Sequence, residues 1–123
     1  MALGPVAQIH VSVTDIDASV AFYRDVLGIP LLFRVPGQPM AFFASGDVRL
    51  YLGVPESPDF ASRCTLYFRV ADIDAEHARL AAAGVDSPGA PHVVHREGGT
   101  ALWMAFVRDP DGHNIGLMQE RPA

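Results

Sequence analysis

The chain has 123 residues, half of them hydrophobic, with a formal net charge of -5, enough to bury a core and too apolar for disorder. Its nine basic residues are all arginine and scattered, which excludes a basic stripe for nucleic acid, and no apolar run approaches the roughly 20 residues that span a bilayer. A single cysteine, Cys64, excludes an intrachain disulfide and makes a reducing cytoplasm the expected location, and Met1-Ala2-Leu3-Gly4-Pro5 lacks the basic and long apolar regions of a secretory signal.

Gln8 to Val13 alternates Ile9, Val11 and Val13 against Gln8, His10 and Ser12, the pattern of a half-buried strand. Asp15 or Asp17 can cap the helix that follows, and Ile16, Val20, Tyr23 and Leu27 fall on one helical face. Gly28 supplies a left-handed stop, and Pro30 prevents the helix from resuming. Leu31 to Val35 reads as a second strand. Met40 to Ala44 and Val48 to Gly53 read as a hairpin around Ser45-Gly46-Asp47. Val54 to Arg63, with Pro55 and Pro58, reads as a linker.

The same order then returns. Cys64 to Val70 is a strand, Asp72 to Ala83 a helix with Ile73, His77 and Leu80 on one face, and Pro91–Arg96, Ala101–Val107 and His113–Gln119 are three further strands. The repetition is literal at one point: Val13-Thr14-Asp15-Ile16-Asp17-Ala18 recurs as Val70-Ala71-Asp72-Ile73-Asp74-Ala75. The predicted fold is therefore α+β, with two βαβββ modules at about 6–53 and 64–120 joined by the linker at about 54–63. Paired, the two modules would make one open, curved, barrel-like sheet around a cavity, so residues 1–123 form a single domain.

Two motifs carry a resemblance. Phe22-Tyr23-Arg24-Asp25-Val26-Leu27-Gly28 follows the first copy of the repeat, and Asp109-Pro110-Asp111-Gly112 precedes the last strand. Together they resemble the vicinal oxygen chelate superfamily of glyoxalases, bleomycin-resistance proteins and extradiol dioxygenases, over nearly the whole chain. Both motifs are structural, a helix packing face with its stop and a tight hairpin, and neither specifies an activity.

The resemblance implies a divalent ion held by side chains from the first and last strand of each module. The repeat places those four positions at Gln8, Tyr51, Thr65 and Gly116. Gln8 is a feasible neutral ligand, as in some glyoxalases. Thr65 is a poor ligand, Tyr51 an uncommon one, and Gly116 has no side chain. No metal is therefore assigned and no cofactor predicted, although an atypical divalent ion using His10, His92 and His95 stays open.

The expected pocket is polar with little charge, lined by Gln8, His10, Ser12, Tyr51, Thr65, Tyr67, His92, Trp103 and Asn114. Trp103 can equally stack on a ligand or pack in the core. His77 and Cys64 read as packed, Arg69 and His113 as exposed, and Asp15, Asp17, Asp72 and Asp74 as helix caps. The implied function is small-molecule binding, similar to the drug-sequestering branch, by a cytoplasmic homodimer with no nucleic-acid or membrane partner. The alternative is a lyase, isomerase or dioxygenase using an atypical metal, or His10, Tyr51 or His92 as general acid and base.

Overall fold

The structure, a computed structural model, describes residues 2–123; Met1 lies outside the described residues. The chain divides into two compact units, Met1–Arg63 and Cys64–Ala123.

In the first unit β1 (Gln8–Ser12), α1 (Ile16–Ala21), β2 (Leu31–Arg34), β3 (Met40–Ser45) and β4 (Val48–Gly53) follow one another, and the sheet order is β1-β4-β3-β2. β1 runs parallel to β4, and the other pairs are antiparallel. In the second unit β5 (Leu66–Arg69), α2 (Ile73–Ala82), β6 (His92–Glu97), β7 (Thr100–Arg108) and β8 (Asn114–Pro122) repeat that order, with the sheet order β5-β8-β7-β6. Each sheet is mixed, four-stranded and open, with an edge strand on either side. The fold class is α+β, with the βαβββ module present twice.

Alternation along each strand divides the side chains between two faces. In the first unit Val11, Leu50, Leu52, Ala41 and Phe43 are buried, together with Val20 and Tyr23 from the helical segment. In the second, Ala101, Ala105, Val107, Ile115 and Leu117 are buried, together with Ile73 and Leu80 of α2. The opposite faces carry Gln8, His10, Ser12 and Tyr51 in the first unit and Thr65, Tyr67 and Asn114 in the second.

Asp15 caps α1, accepting from the backbone N–H groups of Asp17 at 3.1 Å and Ala18 at 3.2 Å. Asp72 caps α2 through the N–H of Ala75 at 3.2 Å. Gln119 reinforces that end, accepting from Ile73 N–H at 2.9 Å. These contacts satisfy N–H groups that a helix start leaves without intrahelical partners. Asp15→Ala should lower stability by about 1 kcal/mol, read as a shifted urea midpoint with an unchanged slope.

The first helix departs from a plain α-helix. After Ala21 it widens into a π-turn over Phe22–Val26, where Leu27 N–H bonds to Phe22 C=O, before Gly28 ends it at φ +78°. Gly84 closes α2 in the same backbone region, at φ +81°.

His113 corrects the sequence expectation: it is buried, with 4% of its surface exposed. The buried Asp109 carboxylate accepts from the backbone N–H groups of Asp111 and His113, and Asp109 N–H bonds to His113 C=O. This clamp makes His113 the base of the turn, and alternation then sets it on the same side as Ile115, with Asn114 outward.

Candidate functional site

On the first sheet, the face opposite the buried set presents Gln8, His10 and Ser12 from β1 beside Arg49, Tyr51 and Gly53 from β4. Antiparallel pairing continues this row through Phe42 of β3, opposite Tyr51, and Phe33 of β2, opposite Phe42. Register therefore aligns four rings across all four strands. His10 and Tyr51 have centroids 4.5 Å apart, Tyr51 and Phe42 stack at 4.9 Å and 14°, and Phe42 and Phe33 stack at 4.7 Å and 23°.

Gly53 permits this arrangement. Tyr51 leans over it, so a Cβ at position 53 would lie 2.6 Å from the ring and 2.7 Å from the phenol oxygen. The second unit repeats the device across strands. A Cβ on Gly116 would lie 2.5 Å from the Tyr67 ring, and Tyr67 reaches over that gap to meet Phe106 edge-on at 5.8 Å.

A cavity of about 630 Å³ opens on the first sheet, within the size range of small-molecule sites. Its floor includes Gln8, His10, Met40 and Tyr51, and Pro55, Glu56, Asp59, Phe60, Ala61 and Ser62 form its wall. The segment expected to be a linker thus builds half of the cavity. It is pinned to β1 by Ser12, whose N–H bonds to Ser62 C=O at 3.1 Å and whose Oγ accepts from Ser62 N–H at 2.7 Å.

Ser12 Oγ also lies 3.1 Å from His10 Nε2. His10 Nδ1 is buried with no partner in hydrogen-bonding geometry, and the nearby Tyr51 backbone only partly offsets the burial. Burial therefore holds the His10 pKa below the usual imidazole value of 6.5. Burial, aided by the charge of Glu56, pushes the Tyr51 phenol above its usual value.

The sign of the His10 shift sets a pH dependence. A depressed imidazole pKa means that the unfolded chain binds the proton more readily than the folded one. Stability from this residue is present above 6.5 and is lost as pH falls through that value toward the lower folded pKa. The urea midpoint should fall between pH 7.5 and 5.5, and His10→Gln should flatten that part of the profile.

Of the expected pocket residues, Gln8, His10 and Tyr51 line this cavity, with Ser12 supporting His10. Thr65, Tyr67 and Asn114 line a separate depression of about 400 Å³ on the second sheet, with Pro88, Phe106 and Arg108. Arg108 is engaged there by Asp86 at 2.8 Å. His92 is exposed on the edge strand β6, its Nδ1 3.3 Å from Ala90 C=O. Trp103 pairs with Gln119 and shares the α2-side face of β7 with Ala101 and Ala105, away from Tyr67 and Phe106. The Arg121 guanidinium covers its ring at 5.1 Å, and Arg121 is held by Asp74 at 2.8 Å.

Among the described residues no three His, Cys, Asp or Glu side chains converge as a metal site would require. The four positions implied by the resemblance fit a divalent cation poorly. Gln8 Oε1 already accepts from Arg49 Nε at 3.1 Å, bringing a positive charge to the one good donor. Tyr51 is held in its protonated form. Gly116 offers no donor, and the Tyr67 ring fills the space a side chain would take.

The residues matching the Glyoxalase/Bleomycin resistance protein/Dioxygenase superfamily run from 5 to 117, and the chain belongs to that family. It is 33% identical to a probable lactoylglutathione lyase of Vibrio cholerae, over 90% of this chain and 87% of that protein. It is 31% identical to TnmS3, an antibiotic binding protein from Streptomyces sp. CB03234, over 100% of this chain and 99% of that one, with a TM-score of 0.74. A superfamily member from Sphaerobacter thermophilus shares the fold at a TM-score of 0.78 and 20% identity, over 94% of this chain and 97% of its own.

The sequence pattern did not reveal Phe33, Phe42, Met40, Glu56, Asp59 or Phe60 as site residues. A partial signal existed: pairing Ser45 with Val48 across the hairpin brings Phe42 opposite Tyr51.

Proposed function

We propose that this protein binds and sequesters a small, partly aromatic molecule in the cavity on the first sheet, without the metal usual in its family. The observation that carries this reading is the aromatic row from His10 to Phe33 beside a cavity walled by residues 55–62. Such rings offer dispersion and quadrupole contacts to an aromatic ligand. The poor donor set at Gln8, Tyr51, Thr65 and Gly116 supports the metal-free part, and likeness to an antibiotic binding protein over the full chain supports the binding role. Gln8 and His10 would orient the ligand by hydrogen bonds.

A cytoplasmic homodimer completes the proposal. Among the described residues no helix is long and apolar enough to cross a membrane. Sedimentation at micromolar concentration should give a dimer, and a clean monomer would count against it.

The test is native mass spectrometry with elemental analysis, on protein purified without chelators or metal resin. A co-purifying organic mass with no stoichiometric metal is expected, whereas a one-to-one transition-metal ion would overturn the reading. Gly53→Ala tests the floor directly. Because the colliding atoms lie at the far end of Tyr51, the fold should tolerate the change, while the displaced phenol should weaken binding of an aromatic ligand by about tenfold.

The contact between His10 and Tyr51 favours one rival, metal-free acid-base catalysis by that pair. Turnover abolished by His10→Ala would support it over sequestration.

A further inference from the structure

We infer that the cavity on the first sheet takes an aromatic cation, with its positive charge toward Glu56 and Asp59. This rests on the binding proposal above and narrows it to one chemical class.

Aromatic character follows from the lining. The rings of His10 and Tyr51 line the cavity, with Phe42 and Phe33 stacked in sequence behind Tyr51 at interplanar angles of 14° and 23°. An aromatic ligand gains dispersion and edge-to-face contacts against the cavity rings that an aliphatic compound would gain only in part. Phe60, 67% exposed, supplies a further ring on the wall.

Charge follows from the wall. The residues lining the cavity include two carboxylates, Glu56 and Asp59, and no arginine. The field of Glu56 reaches the floor, since it contributes to the raised pKa of the Tyr51 phenol, and His10, its own pKa lowered by burial, adds no full positive charge at neutral pH. An aromatic face is electron-rich, so a delocalised cation also gains from the exposed Phe60 ring on the wall. The row already carries one such group: the Arg49 guanidinium lies over Phe42, 5.4 Å from its centroid. Arg49 also donates to Gln8, so the positive charge lies toward that end of the floor, and the charged part of a ligand is directed to the Glu56 and Asp59 wall. An anion there would face both carboxylates unshielded.

The test is fluorescence titration of the full chain with three probes of similar shape at about pH 8: 9-aminoacridine, a cation under those conditions, acridine, which is neutral, and acridine-9-carboxylate, an anion. The cation should bind about tenfold or more tighter than acridine, with the carboxylate weakest. Added salt should weaken the cation alone. Combined Glu56→Gln and Asp59→Asn should bring the affinities of cation and neutral probe within about twofold of each other. Both residues are exposed, so unchanged circular dichroism confirms that the variant folds. Equal affinity of cation and neutral probe in the unaltered chain would overturn the charge assignment and leave the sequestration proposal standing. Failure of all three probes to bind would overturn both.

Discussion

Replacing Phe43 by alanine should cost about 3–5 kcal/mol of stability, the range for removing a fully buried aromatic side chain. Phe43 has 0% of its surface exposed and lies on the helix-facing side of β3, its ring centroid 6.0 Å from that of the buried Tyr23. Leu50 stands opposite it on β4. Neighbours held by the sheet ladder cannot collapse into the space left behind, so a cavity term adds to the lost burial. Against a total of about 5–15 kcal/mol for an ordinary domain, the loss would leave a chain near its unfolding threshold. A large fall in urea midpoint should report it. Phe33→Ala, on the opposite face and 45% exposed, should move that midpoint far less. Its main effect should fall on aromatic ligand binding. The two phenylalanines separate the face that holds the fold together from the face proposed to bind.

Much of this arrangement is legible without coordinates, because the signals are local. The alternation of Ile9, Val11 and Val13 and the helix caps at Asp15 and Asp72 depend on neighbours in sequence. The duplicated Val-x-Asp-Ile-Asp-Ala segment aligns the halves, and the observed strands keep that alignment: His10 pairs with Tyr51, and their repeat counterparts Tyr67 and Gly116 pair with each other.

What escapes the sequence is non-local. The parallel pairing of β1 with β4 joins segments some forty residues apart, and without it the four-ring row cannot be assembled. Residues 54–63 look like a spacer because prolines interrupt any periodicity. Their role emerges only when Ser62 bonds to Ser12. Trp103 shows a different limit. Its parity with Ala101 and Ala105 is readable, but β7 is apolar on both faces. Which face is covered is decided by where Ile73 and Leu80 of α2 pack.

Gly116→Glu should recruit no metal and should destabilise the protein by about 1–3 kcal/mol, the usual range for overfilling a packed site. The resemblance implies a metal ligand at this position, so the substitution asks whether a missing carboxylate is all that separates this chain from its metal-binding relatives. The geometry argues otherwise. A Cβ at 116 would lie 2.5 Å from Tyr67 Cδ1 and 3.2 Å from Cγ, so the base of the ring collides as well as its tip. Tyr67 would have to change rotamer and give up its edge-on contact with Phe106. The new carboxylate would start from a buried backbone position with no cation within its own unit committed to it, which is unfavourable for a charge. Tyr67→Ala combined with Gly116→Glu should recover part of the lost stability, so the two effects should be strongly non-additive. Calorimetric titration with zinc, nickel and manganese should give no saturable heat for either variant. A stoichiometric site in the single variant would show that the loss of one ligand was the whole difference. Absence of binding in both, with coupled stabilities, would mark Tyr67 and Gly116 as one packing unit in place of a metal position.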